Sequence, residues 1–442
     1  MSIAPQRPPT WQTPAGVIVG RRDGRVVRAT GIRYARAGRF ERPVPEPGSP
    51  TPIHATEPGP ACPQPVAPLL ESLLTNPLGD LERDEDCLHL SVTAPANVRP
   101  DDRLPVIVWI HGGAYIWGAG DAPVFDPASL VMEQGVIVVN VTYRLGIFGY
   151  LHSRHSPANL GLLDQLEALR WVKNNIAAFG GDPENITASG QSAGADAVAH
   201  LMIADGAKGL FRRAVLASPP LGVLPNRARM YAAMARAADL LPADLPVDDL
   251  VAAQRRIHAG VQRFGLKAAM AYGVEYGRTP LPRERDRDEA WRAAAPDIDL
   301  LIGWTAREGA LFTVAALARL TRTPVVGPLS QRAAVEWVTR VIYAKPSQAF
   351  AARHAAAGGR GYRYRLDFGA PGNPYRAAHM IDGALMFDRP DVWADSPLLA
   401  GLSPARVDEA GQLLREIWGG FARTGTVAPI DRAGVIRLSP LA

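Results

Sequence analysis

The sequence predicts an α/β fold in which one mostly parallel sheet is packed by helices on both faces. Two segments, Leu104–Ile110 and 136–141, are continuous apolar runs rich in β-branched residues, as is typical of strands buried on both faces of a parallel sheet. Helical spacing of apolar residues follows over 159–179 and ends at a Gly-Gly pair. This alternation of strands and helices with short connections indicates a single sheet.

The other predicted elements extend the same alternation. They are strands at 17–19, 25–29, 186–189, 213–217, 300–302 and 362–368, and helices at 193–203 and 406–423. The segment 226–296 is rich in Ala and Arg, and we expect it to be a mainly helical, cap-like insertion. With no internal repeat, the chain is interpreted as a single domain over 1–442.

Composition and charge restrict the class of protein. Of the 442 residues, 47% are hydrophobic and 21% charged, which is close to the average of globular proteins and provides a large core. The formal net charge is +5, but the arginines are scattered and form no tract with interleaved aromatics, so we expect no nucleic-acid partner. Neither a signal peptide nor an apolar run of about 20 residues is seen, which predicts a cytoplasmic protein with no membrane contact.

The segment GQSAG at 190–194 matches the pattern G-x-S-x-G between a predicted strand and a predicted helix. On such a turn, Ser192 adopts strained backbone angles and points its hydroxyl away from the sheet. Glycines two residues to either side remove Cβ atoms that would collide with the neighbouring strand and helix. We therefore predict that Ser192 is a nucleophile, and the alternative is a structural turn flanked by glycines.

The segment HGGA at 111–114 directly follows the first buried strand. Consecutive glycines let the backbone approach an oxyanion closely, so Gly112 and Gly113 are predicted to donate to it, with the N–H of Ala193 at the helix N-terminus as a third donor. The alternative is a glycine loop that binds phosphate, but no Lys follows and no dinucleotide-binding pattern is present. His111 is expected to orient this loop rather than act as a base.

The general base is expected to follow the nucleophile in the chain, in the order Ser, acid, His. His200 is too far along the helix of Ser192, and His258 and His354 lie in helical segments where surface histidines are common. His379 lies in the loop after the predicted strand 362–368, from which it can reach back over the sheet. It is the best candidate for the base.

The acid that orients this histidine is expected beyond the carboxyl end of a strand. Glu308 follows the strand at 300–302, whereas Asp297 and Asp299 precede it and so lie at the wrong edge. Glu308 would hold the tautomer of the histidine and stabilise the imidazolium. Asp382, three residues after the histidine, remains a rival.

With these residues identified, the chain strongly resembles the type B carboxylesterases, the family of cholinesterases and bacterial p-nitrobenzyl esterases. The resemblance is nearly continuous over residues 14–222 and patchier afterwards. It rests on CPQP at 62–65, EDCLHL at 85–90, VIVWIHGGAY at 106–115, VTYRLGIFGYL at 141–151, the segment 159–187, GQSAGADAV at 190–198, AKGLFRRAVLAS at 207–218, LLIGWTAREGALF at 300–312 and AAHMIDGALMF at 377–387.

This resemblance implies an α/β-hydrolase fold and a triad of Ser192, Glu308 and His379. It also implies that two acids are structural, with Glu85 paired to Arg39 and Asp164 paired to Arg144 in buried ion pairs.

The two cysteines, Cys62 and Cys87, match the first disulfide of the family, although a reducing cytoplasm argues against a permanent bond. Neither cysteine has the spacing of a metal ligand.

Three departures from the family pattern are visible. Gln191 replaces the glutamate that usually precedes the nucleophile, so a preference for cationic alcohols is not expected. The segment between residues 312 and 362 and the stretch after residue 425 are both shorter than in the family.

We thus predict a serine carboxylesterase that acts on small-molecule esters through an acyl-enzyme and needs no cofactor or metal. Trp117, Trp304 and Phe312 are equally compatible with pocket walls and with core packing. A non-catalytic scaffold protein is the alternative from another class, and amides, carbamates or acyl transfer are alternative uses of the same site. The sequence leaves the oligomeric state open and favours a monomer.

Overall fold

The computed structural model describes residues 7–316 and 326–441. Part of the shortened segment 312–362 therefore lies outside the described residues, as do residues 1–6 of the N-terminal segment. The strands are β1 (Thr10–Thr13), β2 (Gly16–Val19), β3 (Arg21–Asp23), β4 (Val26–Arg33), β5 (Ala35–Arg36), β6 (Val44–Pro45), β7 (Ile53–His54), β8 (His89–Pro95), β9 (Leu104–Ile110), β10 (Ile137–Val141), β11 (Gly181–Gln191), β12 (Arg213–Ala217), β13 (Asp299–Thr305), β14 (Gly361–Leu366), β15 (Ile430–Arg432) and β16 (Ile436–Pro440).

Eleven of these strands form one sheet in the order β15-β16-β14-β13-β12-β11-β9-β10-β8-β4-β3. The six central strands, from β14 to β10, run parallel to one another. Antiparallel strands extend the sheet at both edges. The predicted mostly parallel sheet is confirmed at its centre, where the two apolar runs form the neighbouring parallel strands β9 and β10.

The helices flank this sheet. They are α1 (Pro68–Glu71), α2 (Ala128–Gln134), α3 (Gly146–Gly149), α4 (Leu160–Asn175), α5 (Ala193–Leu201), α6 (Ala228–Ala238), α7 (Val247–Gly260), α8 (Arg287–Ala294), α9 (Ala310–Ala316), α10 (Val326–Val338), α11 (Lys345–Ala356), α12 (Ile381–Phe387), α13 (Pro390–Trp393) and α14 (Pro404–Thr424). Short 3₁₀ turns and a π-helical turn at Thr339–Ala344 join several of them. Within 226–296 the structure has α6, α7 and α8.

Two cores lie on opposite faces of the sheet. On one face, α4 and α5 pack on the strands through residues such as Leu169 and Val198. On the other face, α2, α12 and α14 pack through residues such as Val131, Leu385 and Phe421. No helix within 7–316 and 326–441 is both long enough and apolar enough to cross a membrane.

Candidate active site

Ser192 lies at the sharp turn between β11 and α5. Its backbone angles are φ 56° and ψ −123°, a strained conformation for a residue with a side chain, and its N–H donates to the carbonyl of Ala217 at 2.9 Å. A Cβ on Gly190 would lie 2.4 Å from the carbonyl carbon of Gly194, and a Cβ on Gly194 would lie 2.0 Å from the carbonyl oxygen of Ile110. The steric reason for glycine at both flanking positions is therefore confirmed.

Glu308 and His379 are in direct contact through their side chains. Nδ1 of His379 lies 2.5 Å from Oε2 of Glu308, and the other carboxylate oxygen accepts the N–H of Thr305 at 2.7 Å. Both side chains are buried. A carboxylate at Nδ1 favours the tautomer that carries its proton on that nitrogen, which leaves the lone pair on Nε2.

The lone pair of His379 Nε2 faces the side chain of Gln191. The amide nitrogen of Gln191 lies 3.3 Å from Nε2. Among the hydrogen bonds of the described residues, none joins the hydroxyl of Ser192 to His379, although both side chains line one cavity. Catalytic hydrogen bonds are often long or misaligned in enzymes without substrate, and they tighten when substrate binds.

The glycine loop, which we define as residues 111–118, borders the same turn. A Cβ on Gly112 would lie 3.2 Å from Cβ of Ser192, and Gly113 has φ 107°, where a Cβ would lie 2.1 Å from the carbonyl oxygen of Trp117. Only residues without a side chain fit here, and both glycines line the cavity with Ser192. His111 is buried, and burial lowers its pKa to about 4, so it stays neutral at physiological pH.

The cavity beside Ser192 has a volume of about 370 Å³ and almost entirely apolar walls. Trp117 and Phe312 line it, whereas Trp304 is buried in the core of the sheet. The sequence did not single out most of the other apolar wall residues, because they come from segments far apart in the chain, most of them helices or short helical turns, and no local pattern brings them together. They include Ala67, Leu69, Leu70, Ile116, Phe125, Leu266, Met270, Leu311, Val338, Ile342 and Tyr343.

The other candidate histidines have different surroundings. His200 is buried, with Nδ1 2.7 Å from the carbonyl oxygen of Asp196, and His258 contacts the carbonyl of Ala268 at 2.9 Å. The expectation that His354 is a surface residue is wrong, because its side chain is buried. A Cβ on Gly359 would lie 2.3 Å from its ring, so the turn after α11 folds over it.

Asp382, the rival acid, makes no hydrogen bond to His379 among the described residues. It is buried and lines a small second cavity of about 30 Å³, which shares Phe125, Gln191 and Met380 as wall residues with the larger one. Burial raises the pKa of Asp382 to about 6, and its Oδ1 has no hydrogen-bond partner among the described residues.

The charged pairs that the resemblance implies are both present. Arg144 and Asp164 form a buried pair with nitrogen–oxygen distances of 2.7 and 2.8 Å. Arg39 and Glu85 also pair, with a nitrogen–oxygen distance of 2.8 Å, but each side chain is about a quarter exposed. The expectation that this second pair is buried is therefore wrong.

Cys62 and Cys87 are both buried, and both are free thiols. The disulfide that the resemblance implies is therefore not formed in this structure. The backbone N–H of Leu145 donates to Sγ of Cys62 at 3.3 Å, and a hydrogen bond with Cys62, together with burial, raises the pKa of the Cys87 thiol. A raised pKa keeps that thiol protonated and unreactive.

Comparison with known proteins agrees with this architecture. The sequence model of the carboxylesterase family matches residues 7–324. A Rhodococcus erythropolis protein named probable N-octanoylanthranilate hydrolase is 38% identical over 431 residues, which is 95% of this chain and 94% of that protein. The para-nitrobenzyl esterase of Bacillus subtilis is 34% identical over 93% of this chain and 89% of its own length.

A solved structure of a thermophilic p-nitrobenzyl esterase superposes with a TM-score of 0.79. It is 29% identical to this chain and covers 98% of it, with 97% of its own chain matched. This neighbour has the α/β-hydrolase fold. The eleven-stranded sheet described above therefore has the fold that the resemblance implies. The chain belongs to the carboxylesterase family and is a carboxylic ester hydrolase.

Proposed function

We propose that the chain hydrolyses esters through an acyl-enzyme on Ser192, with His379 as general base and Glu308 as the acid that orients it. The observation that carries this proposal is the 2.5 Å contact between Glu308 and His379 beside a serine in a strained turn. Ser192 Oγ attacks the ester carbonyl while Nε2 of His379 takes its proton. The alcohol leaves with that proton, and water activated by the same histidine then hydrolyses the acyl-enzyme.

The Gln191 amide has a place in this sequence of steps. It donates to the Nε2 lone pair that must accept the Ser192 proton, so this contact has to shift before proton transfer. Glu308 meanwhile holds Nδ1 and stabilises the imidazolium that forms.

The proposed oxyanion hole combines donors from two elements. The N–H groups of Gly112 and Gly113 come from the glycine loop, and that of Ala193 comes from the first turn of α5, where backbone N–H groups have no partner within the helix. Donors fixed before the reaction stabilise the tetrahedral states, and the loss of one such donor typically costs about 3–4 kcal/mol.

The substrate proposed is an uncharged ester with an apolar acyl group. The cavity of about 370 Å³ falls within the range of small-molecule sites, and no acidic or basic side chain except His379 lines it among the described residues. A neutral amide at Gln191 offers no attraction to a cationic alcohol. Substrate preference is tested with p-nitrophenyl esters of increasing chain length.

The mechanism is tested by replacing the nucleophile. Ser192→Ala should abolish turnover of p-nitrophenyl acetate and labelling by a fluorophosphonate probe. Ser218→Ala is a matched control, because Ser218 also follows a strand and has a positive φ of 51°, and this variant should keep both properties. Wild-type turnover by Ser192→Ala would reject the mechanism, and a wild-type chain that neither turns over nor labels would favour a non-catalytic scaffold.

A second candidate is hydrolysis of N-acylated aromatic amines by the same site. It is favoured by the relative named N-octanoylanthranilate hydrolase and by the apolar cavity next to Ser192. The test compares kcat/KM for N-octanoylanthranilate with that for an octanoyl ester. An undetectable rate on the amide with rapid ester turnover would exclude this second function.

A further inference from the structure

A buried hydrogen bond joins the glycine loop to the helix of the nucleophile. The hydroxyl of Tyr115, in the loop, donates to Oδ2 of Asp196 in the first turn of α5 at 2.7 Å. Neither side chain is exposed to solvent. The proposed mechanism uses neither residue, yet they belong to the two elements that would supply the oxyanion donors.

The loop is strained where this contact is made. Ala114 and Tyr115 have φ values of 54° and 61°, in the left-handed region that residues with a side chain rarely adopt. Such a conformation persists only where surrounding contacts hold it. The backbone of Tyr115 accepts the N–H of Gly146 at 2.6 Å, and its ring lies 4.3 Å from that of Tyr150, so the residue is fixed at backbone, ring and hydroxyl.

Asp196 has further polar and charged side chains around it, although its helix is rich in alanine. His200, one turn further, lies with Nδ1 3.6 Å from Oδ1 of Asp196, and its Nε2 is 2.7 Å from the hydroxyl of Tyr276. Arg227 at the start of α6 also acts on Asp196 electrostatically. The hydrogen bond of His200 Nδ1 goes to the backbone carbonyl of Asp196 at 2.7 Å, so Tyr115 is the residue that bonds to the carboxylate itself.

Burying these polar groups is unfavourable compared with an apolar pair of similar volume. Oδ1 of Asp196 even lacks a hydrogen-bond partner among the described residues. Packing alone does not require a carboxylate here, because a phenylalanine and a small apolar residue would also separate the loop from the helix. A directional bond does what packing cannot, since it fixes distance and orientation together.

We propose that Tyr115 and Asp196 are positioning residues that set the distance between the loop donors, Gly112 and Gly113, and the helix donor, Ala193. This inference rests on the proposed function, because it concerns the oxyanion hole of that reaction. Donors act on an oxyanion only when they converge within a few tenths of an ångström, and a misplacement of 1 Å can cost about 10²-fold in rate. The pair thereby affects the transition state more than substrate binding.

The test removes the hydroxyl without changing the volume. Tyr115→Phe should lower kcat for p-nitrophenyl esters about tenfold or more with KM within about twofold, and should weaken inhibition by a trifluoromethyl ketone by the same factor as kcat. Asp196→Ala should behave alike. Asp196→Asn, which keeps an oxygen that accepts from the tyrosine, should retain most of kcat.

Tyr272→Phe is the matched control, because its buried hydroxyl donates to the carbonyl of Gln254 at 3.0 Å, outside the loop and α5. It should lose some stability on thermal unfolding but keep kcat. A wild-type kcat in Tyr115→Phe, or an equal loss of kcat in Tyr272→Phe, would overturn the inference. Ser192→Ala in the same assay separates the two proposals, because activity in that variant would reject the mechanism itself, whereas its inactivity beside a fully active Tyr115→Phe rejects only the positioning role.

Discussion

Glu308 and His379 meet because the loops after two neighbouring parallel strands are bonded to each other. β13 and β14 pair in register up to Thr305 and Leu366, and the N–H of Arg307 then donates to the carbonyl of Ala377 at 2.9 Å. That backbone bond lies one residue before Glu308 and two before His379. The contact between acid and histidine is therefore fixed by the backbone as well as by the side chains.

Replacing the acid should separate chemistry from binding. Glu308→Gln keeps the shape but removes the charge that stabilises the imidazolium, so kcat for p-nitrophenyl acetate should fall about 10³- to 10⁴-fold while KM changes little. Asp382→Asn, the same change at the rival acid, should lower kcat less than about tenfold. Steady-state kinetics on both variants checks this, and the reverse order of the two losses would assign the acid to Asp382.

The buried carboxyl of Asp382 should make stability depend on pH. Its pKa rises from 3.8 to about 6 on folding, so the folded state favours the protonated form. The stability it confers is fully present below pH 3.8 and is lost as pH rises to about 6, a change of about 3 kcal/mol in the free energy of unfolding.

Asp382→Asn removes this titration, because an amide has no charged form to bury. Relative to wild type, the variant should gain about 2 kcal/mol of unfolding free energy between pH 4.5 and pH 8. Urea denaturation at both pH values measures the difference. The same stability difference at the two pH values would show that the carboxyl titrates alike in the folded and unfolded chain.

The close approach of α5 to the sheet predicts a large effect of one methyl group. Gly194→Ala would place a Cβ 2.0 Å from the carbonyl oxygen of Ile110, so backbone must move, and the free energy of unfolding should fall by about 3 kcal/mol or more. Gly260→Ala at the end of α7 is the control, since no atom lies within 4 Å of the new Cβ, and it should be neutral or slightly stabilising. Equal unfolding midpoints for the two variants would contradict the steric argument.

The parts of the fold that the sequence predicted best are those buried on both faces. β9 and β12 have the bounds that the apolar runs predicted, because parallel central strands allow few polar residues. β8 was not predicted, although Leu90, Val92 and Ala94 alternate with polar residues, because this alternation is short and ends in proline. β14 ends at Leu366, two residues earlier than predicted. There the N–H of Asp367 donates to the carbonyl of Val435 at 2.7 Å.

The candidate site likewise contains residues that the sequence could select and residues that it could not. A turn motif and a strand-end position were enough to select Ser192 and Glu308 as candidates, because local geometry dictates those residue types. The sequence could not predict that Trp304 lies in the core instead of the cavity wall, or that His354 is buried. Both depend on contacts between distant segments, which no local pattern indicates. Asp196 did leave a signal, because an acid within the run AGADAVA of a buried helix is unexpected unless it has a partner.

The amide at Gln191 predicts how charge selectivity can be changed. Gln191→Glu would place a carboxylate beside Nε2 of His379, at the edge of the cavity that receives the substrate. The ratio of kcat/KM for acetylthiocholine to that for its uncharged 3,3-dimethylbutyl analogue should rise about tenfold, because a nearby unit charge in a partly buried site attracts the cationic alcohol. Gln262→Glu, at an exposed position outside the cavity, should leave the ratio unchanged. An unchanged ratio in Gln191→Glu as well would mean that the alcohol of the substrate does not approach this side of the histidine.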